Sequence, residues 1–302
     1  TSSRDIKNHA LTGNEGIAYG ALAAGVKAVV GYPGTPSTGA IASLMTMDLP
    51  DTHVEWSTNE KVAVDIAAGL HWGGHRVLCG MKMSGVNVAL DSILSIAYSG
   101  GYGGMVIYVA DDPGASAGMC EQDSREFAVM CDMPMLEPTT IAECIEFTKY
   151  AFELSEEIRG PVYVRLTGAL SNSFGEVELP EIAPVSKADA LLIRDIQRFT
   201  KAGAVITTTQ HRDLIARLAK AGEIVAAKGM NILKMGKKGG VGIIANGLVA
   251  NYLGEAFEIA KDHGVKPSDF SILELRVSYP FAATEAEKLL KNCSNILVLE
   301  EL

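Results

Sequence analysis

The feature that most restricts what this chain can fold into is a repeated pairing. A short apolar run rich in β-branched residues is followed by a stretch with apolar residues every three or four positions. "VKAVVGY" (26–32), "HRVLCGM" (75–81), "GGMVIYVADD" (103–112) and "GPVYVRLT" (160–167) are the apolar runs, with "THVEWS" (52–57) a shorter one. Around them lie "NEGIAYGALAAG" (14–25), "NEKVAVDIAAGLHWGG" (59–74) and "TIAECIEFTKYAFELSEEI" (140–158). In the second of these, Val62, Ala63, Ile66, Ala67 and Leu70 share one helical face. Runs that are apolar throughout are buried on both sides, and strands alternating with helices build a parallel sheet covered on both faces.

The alternation pauses at "SNSFGEVELPEIAPVSKADA" (171–190), which is rich in Ser, Pro and acidic residues and reads as a linker. "HRDLIARLAKAGEIVAAKGMNIL" (211–233) reads as a long amphipathic helix, and "MGKKGG" (235–240) as a second joint. Then "VGIIANG", "LVANYLGEAFEIAKDHG", "FSILELRVSYP", "ATEAEKLLKNC" and "NILVLEEL" repeat the strand–helix order without internal sequence repetition. The expectation is two α/β domains with parallel sheets, spanning 1–170 and 235–302, joined by a linker and connector helix over 171–234. "NILVLEEL" reads as a buried strand with no closing helix, as in a chain that is truncated or completed by a partner.

Charge and cysteine content narrow the function classes. Lys and Arg number 26 against 36 Asp and Glu, a net charge of −10, which disfavours a surface for nucleic acid or anionic membrane. No apolar run approaches the roughly 18 residues of a membrane span, and the opening "TSSRDIKNHALTG" lacks the apolar core of a signal peptide. The five cysteines stand singly with no C-x-x-C pair, so the expectation is free thiols in a reducing cytoplasm, without a locally built zinc or iron–sulfur site.

Several short motifs carry two readings each. In "GYPGTPST" (31–38), Thr35 can cap a helix with Pro36 at its first position, or the corner can border a ligand, since ligands of open α/β sheets sit beyond the carboxyl ends of the strands. Ser57-x-x-Glu60 matches a capping box, in which the glutamate reaches back to an orphan N–H, while Glu60 is also the leading candidate for chemistry. "KMSGVN" (82–87) reads as a polar turn at the same sheet edge. "GYGGM" (101–105) lacks the GK[ST] of a phosphate loop, and "GIIANG" (242–247) does not match a dinucleotide fingerprint. "DDPGASAGMCEQDSRE" (111–126) is a long polar loop after a strand, a place where function often lies. A metal pair at Asp111 and Asp112 is the lesser reading there, because spaced partners are missing. The six histidines read as structural.

In combination these segments are more specific. "GNEGIAYGALAAGVKAVVGYPGTPST", "TNEKVAVDIAAGLHWGG", "MKMSGVNVALD", "VADDP", "EQDSREFA", "PMLEPTT", "KYAFELSE", "GIIANGLVANYLGEA" and "NILVLEEL" run in order over essentially the whole chain. The pattern resembles the α subunits of indolepyruvate:ferredoxin oxidoreductases, within the thiamine diphosphate-dependent 2-oxoacid:ferredoxin oxidoreductase family. The resemblance implies a pyrimidine-binding domain followed by a transketolase C-terminal-like domain. It implies that Glu60 binds N1′ of the cofactor's aminopyrimidine, so that the 4′-amino group can take the proton from the thiazolium carbon. Gly34, Lys82 and Asn87 are implied beside Glu60 at the cofactor, and Thr35, Pro36 and Arg125 at the substrate, with Thr35 the second catalytic candidate. Related pyruvate enzymes place a carboxylate-binding arginine where this chain has Val129; either Arg125 substitutes for it or the carboxylate is held differently. The diphosphate- and magnesium-binding G-D-G…N motif is absent from the sequence, so a diphosphate-side partner subunit or a further C-terminal domain must supply it. No metal ligand is assigned to this chain. Iron–sulfur clusters are implied only on partners, together with a γ-type subunit, ferredoxin, coenzyme A and a 2-oxoacid. A non-oxidative thiamine-dependent decarboxylase and a non-catalytic structural subunit are the alternatives.

Overall fold

The computed structural model describes residues 8–301 of the chain. In chain order the elements are β1 (Asn8–Thr12), α1 (Gly13–Ala23), β2 (Ala28–Gly31), α2 (Thr38–Met45), β3 (His53–Trp56), α3 (Glu60–Trp72), β4 (Val77–Lys82), α4 (Met83–Ser99), β5 (Met105–Asp111), α5 (Arg125–Met130), β6 (Met135–Leu136), α6 (Ile141–Ile158), β7 (Val162–Thr167), α7 (Gly168–Asn172) and β8 (Phe174–Glu178). An extended stretch leads to α8 (Ile196–Phe199) and α9 (Ala204–Lys228). The remainder is β9 (Ile232–Lys234), β10 (Val241–Asn246), α10 (Val249–Ala260), β11 (Phe270–Leu275), β12 (Val277–Tyr279), α11 (Ala283–Asn292) and β13 (Asn295–Leu299). None of the described helices is long and apolar enough to cross a membrane.

The first sheet has the order β12-β6-β7-β5-β4-β2-β3, parallel except for β12 at one edge. Its strands send alternate residues to opposite cores, as the period of a strand requires. On β5, Val106, Tyr108 and Ala110 face a core built with residues of α1, α2 and α6. Met105, Ile107 and Val109 face the core of α3, α4 and α5. The second sheet, β13-β10-β11-β9, is parallel except for β9. The connector helix α9 lies against α4 and α6, contributing Leu214 to one core and Ala221 and Val225 to the other.

The structure departs from the sequence reading in several of its strands and turns. The stretch taken as linker contains β8, which pairs antiparallel with β1. "FSILELRVSYP" is not one strand: it breaks at Arg276, and β12 joins the first sheet while β11 stays in the second. "NILVLEEL" is not buried; β13 pairs with β10 alone, and Leu297 and Val298 are 49% and 54% exposed. "KMSGVN" is no turn, because β4 ends at Lys82 and α4 starts at Met83.

A buried ion network ties the sheet edge together. Arg165 on β7 donates from Nε to Asp111 Oδ2 at 2.6 Å and from one terminal nitrogen to Glu137 Oε2 at 2.6 Å. All three residues are at most 3% exposed. Burial works to lower the Arg165 pKa, but Glu137, Asp111 and Asp123 outweigh it and raise it, so the guanidinium stays charged. Arg165→Met should cost about 3–5 kcal/mol in denaturant melts, because two carboxylates would be left buried without a counter-charge.

His71 is fully buried on α3. Its Nδ1–H donates to the Gly103 carbonyl and its Nε2 has no partner. Desolvation holds its pKa down to about 4. The neutral ring is therefore favoured in the folded state, and this contribution is complete above pH 6.5 and lost as pH falls toward 4. Between pH 7 and pH 5 the loss should be about 2 kcal/mol. Melts at the two pH values, with an NMR titration of the His71 ring, check it; the ring should remain neutral at pH 5 in the folded protein.

Candidate active site

The parallel strands β2, β3, β4 and β5 are neighbours, and their carboxyl ends deliver most of the sequence-predicted residues to one edge. After β2 the chain turns through Tyr32–Ser37 before α2. The Thr35 N-cap with Pro36 at the first helical position is not what forms. Helix α2 starts at Thr38 with Ser37 before it, and the Thr35–Pro36 peptide is cis. The corner is held otherwise. Gly34 N–H donates to Thr38 Oγ1 at 2.9 Å, and Ser37 Oγ donates to the Gly34 carbonyl at 2.7 Å. The buried Asn14 donates to the Pro36 carbonyl at 2.9 Å and accepts from the Tyr108 hydroxyl at 2.8 Å. Thr35 is left exposed and Pro36 buried. Asn14 was missed because nothing local marks it; its partners lie 22 and 94 residues away.

The capping box at Ser57 and Glu60 does not form either. Asn59 is the N-cap of α3, accepting from Val62 N–H at 2.9 Å, and Ser57 Oγ is buried without a partner. Glu60 is the first helical residue, two positions too early to serve as the box glutamate. Its side chain lies against Gly85 in the first turn of α4: a β-carbon on Gly85 would sit 2.5 Å from Glu60 Oε1.

Lys82, at the end of β4, packs on Gly34, where a β-carbon would lie 2.9 Å from Lys82 Cβ. Its Nζ donates to the Ala117 carbonyl at 3.0 Å and lies 3.9 Å from Asp112 Oδ2. Asp112 also accepts from Ser116 Oγ at 2.6 Å and Ala117 N–H at 2.7 Å. Burial opposes its charge, but these hydrogen bonds and Lys82 hold its carboxyl below the usual range. Asp112 therefore organises the polar loop after β5 rather than pairing with Asp111, which faces Ser124 and Arg165. Asn87 exchanges two hydrogen bonds with Gln122 of the same loop, both 2.9 Å. Arg125 belongs to another cluster, binding Asp123 from Nε at 2.9 and 3.0 Å and from a terminal nitrogen at 2.6 Å, with Glu300 at 3.3 Å. Val129 is 56% exposed on α5. Among the described residues no group of three or more His, Cys, Asp or Glu side chains is placed to hold a metal ion.

Residues 19–192, the segment that carries this edge, match the model of the pyruvate flavodoxin/ferredoxin oxidoreductase thiamine diphosphate-binding family. The chain belongs to that family. It is 36% identical over 297 residues to the indolepyruvate oxidoreductase subunit IorA of Thermococcus kodakarensis, and 34% identical over 295 residues to that of Methanothermobacter marburgensis. Each alignment takes in 97% of this chain but only 45% and 46% of the relative, so the chain spans about half the length of these curated relatives. In fold it is similar to a 2-oxoglutarate:ferredoxin oxidoreductase from Magnetococcus marinus, with a TM-score of 0.79 and 16% identity over 98% of this chain and 58% of that one. It is also similar to a split-gene transketolase, with a TM-score of 0.53 and 17% identity over 93% of this chain and 77% of that one.

The cap assignment has a direct test. Asn59→Ala should cost about 0.5–2 kcal/mol of stability, as loss of a helix cap does. Ser57→Ala should lower stability far less, since its hydroxyl caps nothing. Thermal melts of the two variants should rank in that order.

Proposed function

We propose that this chain is the pyrimidine-side part of a thiamine diphosphate-dependent 2-oxoacid:ferredoxin oxidoreductase subunit. The proposed reaction converts an arylpyruvate-like 2-oxoacid and coenzyme A to an acyl-CoA, carbon dioxide and two electrons, which pass to ferredoxin. The observation that carries this reading is Glu60. It stands at the carboxyl edge of a parallel sheet, and neither the helix cap nor any salt bridge among the described residues uses its carboxylate. Gly85 leaves the space in which the Glu60 side chain sits. The subunit names of the long relatives, and their aromatic 2-oxoacid, support the substrate class.

Bound at this edge, thiamine diphosphate supplies the carbon nucleophile and the electron sink of the decarboxylation. The chain's own residues bind and orient. Glu60 would hold the aminopyrimidine through N1′ and keep a proton at that contact. Thr35, exposed at the corner, offers its hydroxyl to the substrate, with the buried Pro36 fixing the corner and Gly34 beside the cofactor. Lys82 draws the 113–118 loop down beside Gly34, and Asn87 draws Gln122, so the loop is held at the cofactor side. In this reading Arg125 serves the substrate carboxylate after exchanging Asp123 or Glu300 for it. The diphosphate and magnesium fall to a partner subunit or further domain, the clusters to partners including a γ-type subunit, and electrons to ferredoxin. All five cysteines are free, and we place the assembly in the cytoplasm.

The deciding experiment uses the full-length subunit with its partners. Glu60→Gln keeps shape and hydrogen bonding but cannot exchange a proton. The C2-proton exchange of bound cofactor should fall by about 10²–10⁴-fold, the usual contribution of general acid–base catalysis, with the melting temperature unchanged. Exchange at the wild-type rate would overturn the assignment and leave Glu60 without a chemical role.

A further inference from the structure

A glycine in the first turn of a long helix calls for a reason, since alanine there costs less backbone entropy. Gly85 is the third residue of the seventeen-residue α4 and is buried. Its φ is not in the left-handed region, so backbone conformation does not demand glycine. The space it leaves is filled. A β-carbon at this position would meet Glu60 Oε1 at 2.5 Å, Glu60 Cγ at 2.6 Å and Glu60 Cδ at 2.9 Å. These three nearest atoms all belong to one side chain, and the contacts are closer than a β-carbon tolerates.

We propose that Gly85 is a positioning residue: the missing side chain is the seat of the Glu60 carboxyl group and fixes its place at the sheet edge. The inference rests on the catalytic reading of Glu60 and deepens it, by naming what holds the group. Any side chain at 85 has to push the Glu60 carboxyl group off its seat or open the packing of α3 on α4. The three atoms turn together about the Glu60 Cα–Cβ bond, so the simplest relief is a change of rotamer that carries the carboxyl group off its seat. An enzyme group displaced by about 1 Å can lose about 10²-fold in rate.

The test uses the full-length subunit in complex with its partners, carrying Gly85→Ala, Glu60→Gln, Glu60→Ala, and Gly85→Ala combined with Glu60→Ala. Gly85→Ala should lower C2-proton exchange of bound cofactor by roughly 10²-fold, while cofactor Kd moves by much less. The melting temperature gives a readout independent of activity. In the wild-type background Gly85→Ala should lower it, because the new methyl group meets Glu60. In the Glu60→Ala background the same change should leave it unchanged or raise it, because the obstacle is gone and alanine is the better helix former. Equal melting shifts in both backgrounds, or wild-type exchange in Gly85→Ala where Glu60→Gln is impaired, would overturn the positioning role. Wild-type exchange in Glu60→Gln would overturn the catalytic reading itself and the proposal with it.

Discussion

The buried guanidinium of Arg165 is the constraint on which the rest of the arrangement depends. A charge removed from water costs several kcal/mol unless it is paired and fully hydrogen-bonded, so Arg165 cannot be buried until its partners are in place. Those partners come from separate parts of the chain: Asp111 at the end of β5, Glu137 after β6, and the Glu301 carbonyl beyond β13, at 3.2 Å. Asp111 in turn accepts from Ser124 N–H at 2.9 Å and from its hydroxyl, which sets the start of α5 and the far end of the polar loop. Glu137 N–H donates to the Arg276 carbonyl at 2.8 Å, and Arg276 binds Glu143 at 2.8 Å and Glu274 at 2.9 Å. One charge thus couples three strands of the first sheet to the second sheet and to the loop that carries Ala117.

That coupling explains how a mobile-looking loop can serve a defined site. "DDPGASAGMC" is rich in glycine and serine, and alone it would sample many conformations. Here Asp111 and Ser124 tie its far end, while Asp112 gathers Ser116, Ala117 and Lys82 at its near end. Lys82 occupies space that exists because residue 34 is glycine, and Gly118 lies where a β-carbon would meet Lys82 Nζ at 2.8 Å. Close approach without side chains, at Gly34, Gly85 and Gly118, lets charged groups from different strands share one edge.

The alternation of strands and helices was legible because burial on both faces writes continuous apolar runs, and helices covering a sheet write a period near 3.6. What was illegible depends on distance or on register. β8 pairs with β1 across more than 160 residues, and its exposed Phe174 and acidic flanks carry no strand signal. β13 is apolar in composition yet lies at a sheet edge, so "NILVLEEL" looked more buried than it is. Asn14, Asp111 and Arg165 are buried polar groups whose partners come from elsewhere in the fold. At residues 57–60 the structure caps the helix with Asn59, which no sequence motif had marked. The S-x-x-E spacing favoured Ser57, and the structure starts the helix two residues later.

That difference of two residues bears on function. A capping box needs its glutamate at the third helical position, where the side chain bends back to the cap N–H. With Asn59 as cap, Glu60 falls at the first position, and its side chain points away from its own helix terminus to the first turn of α4. Capping the helix and, in the role proposed for Glu60, presenting a carboxylate are thereby divided between adjacent residues. Asn59 satisfies the orphan N–H of Val62, and the Glu60 side chain makes no hydrogen bond to the described residues. A carboxylate at a helix start is also favoured by the partial positive charge there, so this placement costs the fold little. Capping therefore does not compete with the role proposed for Glu60: the cap is supplied one residue earlier, and the carboxyl group stays at the sheet edge.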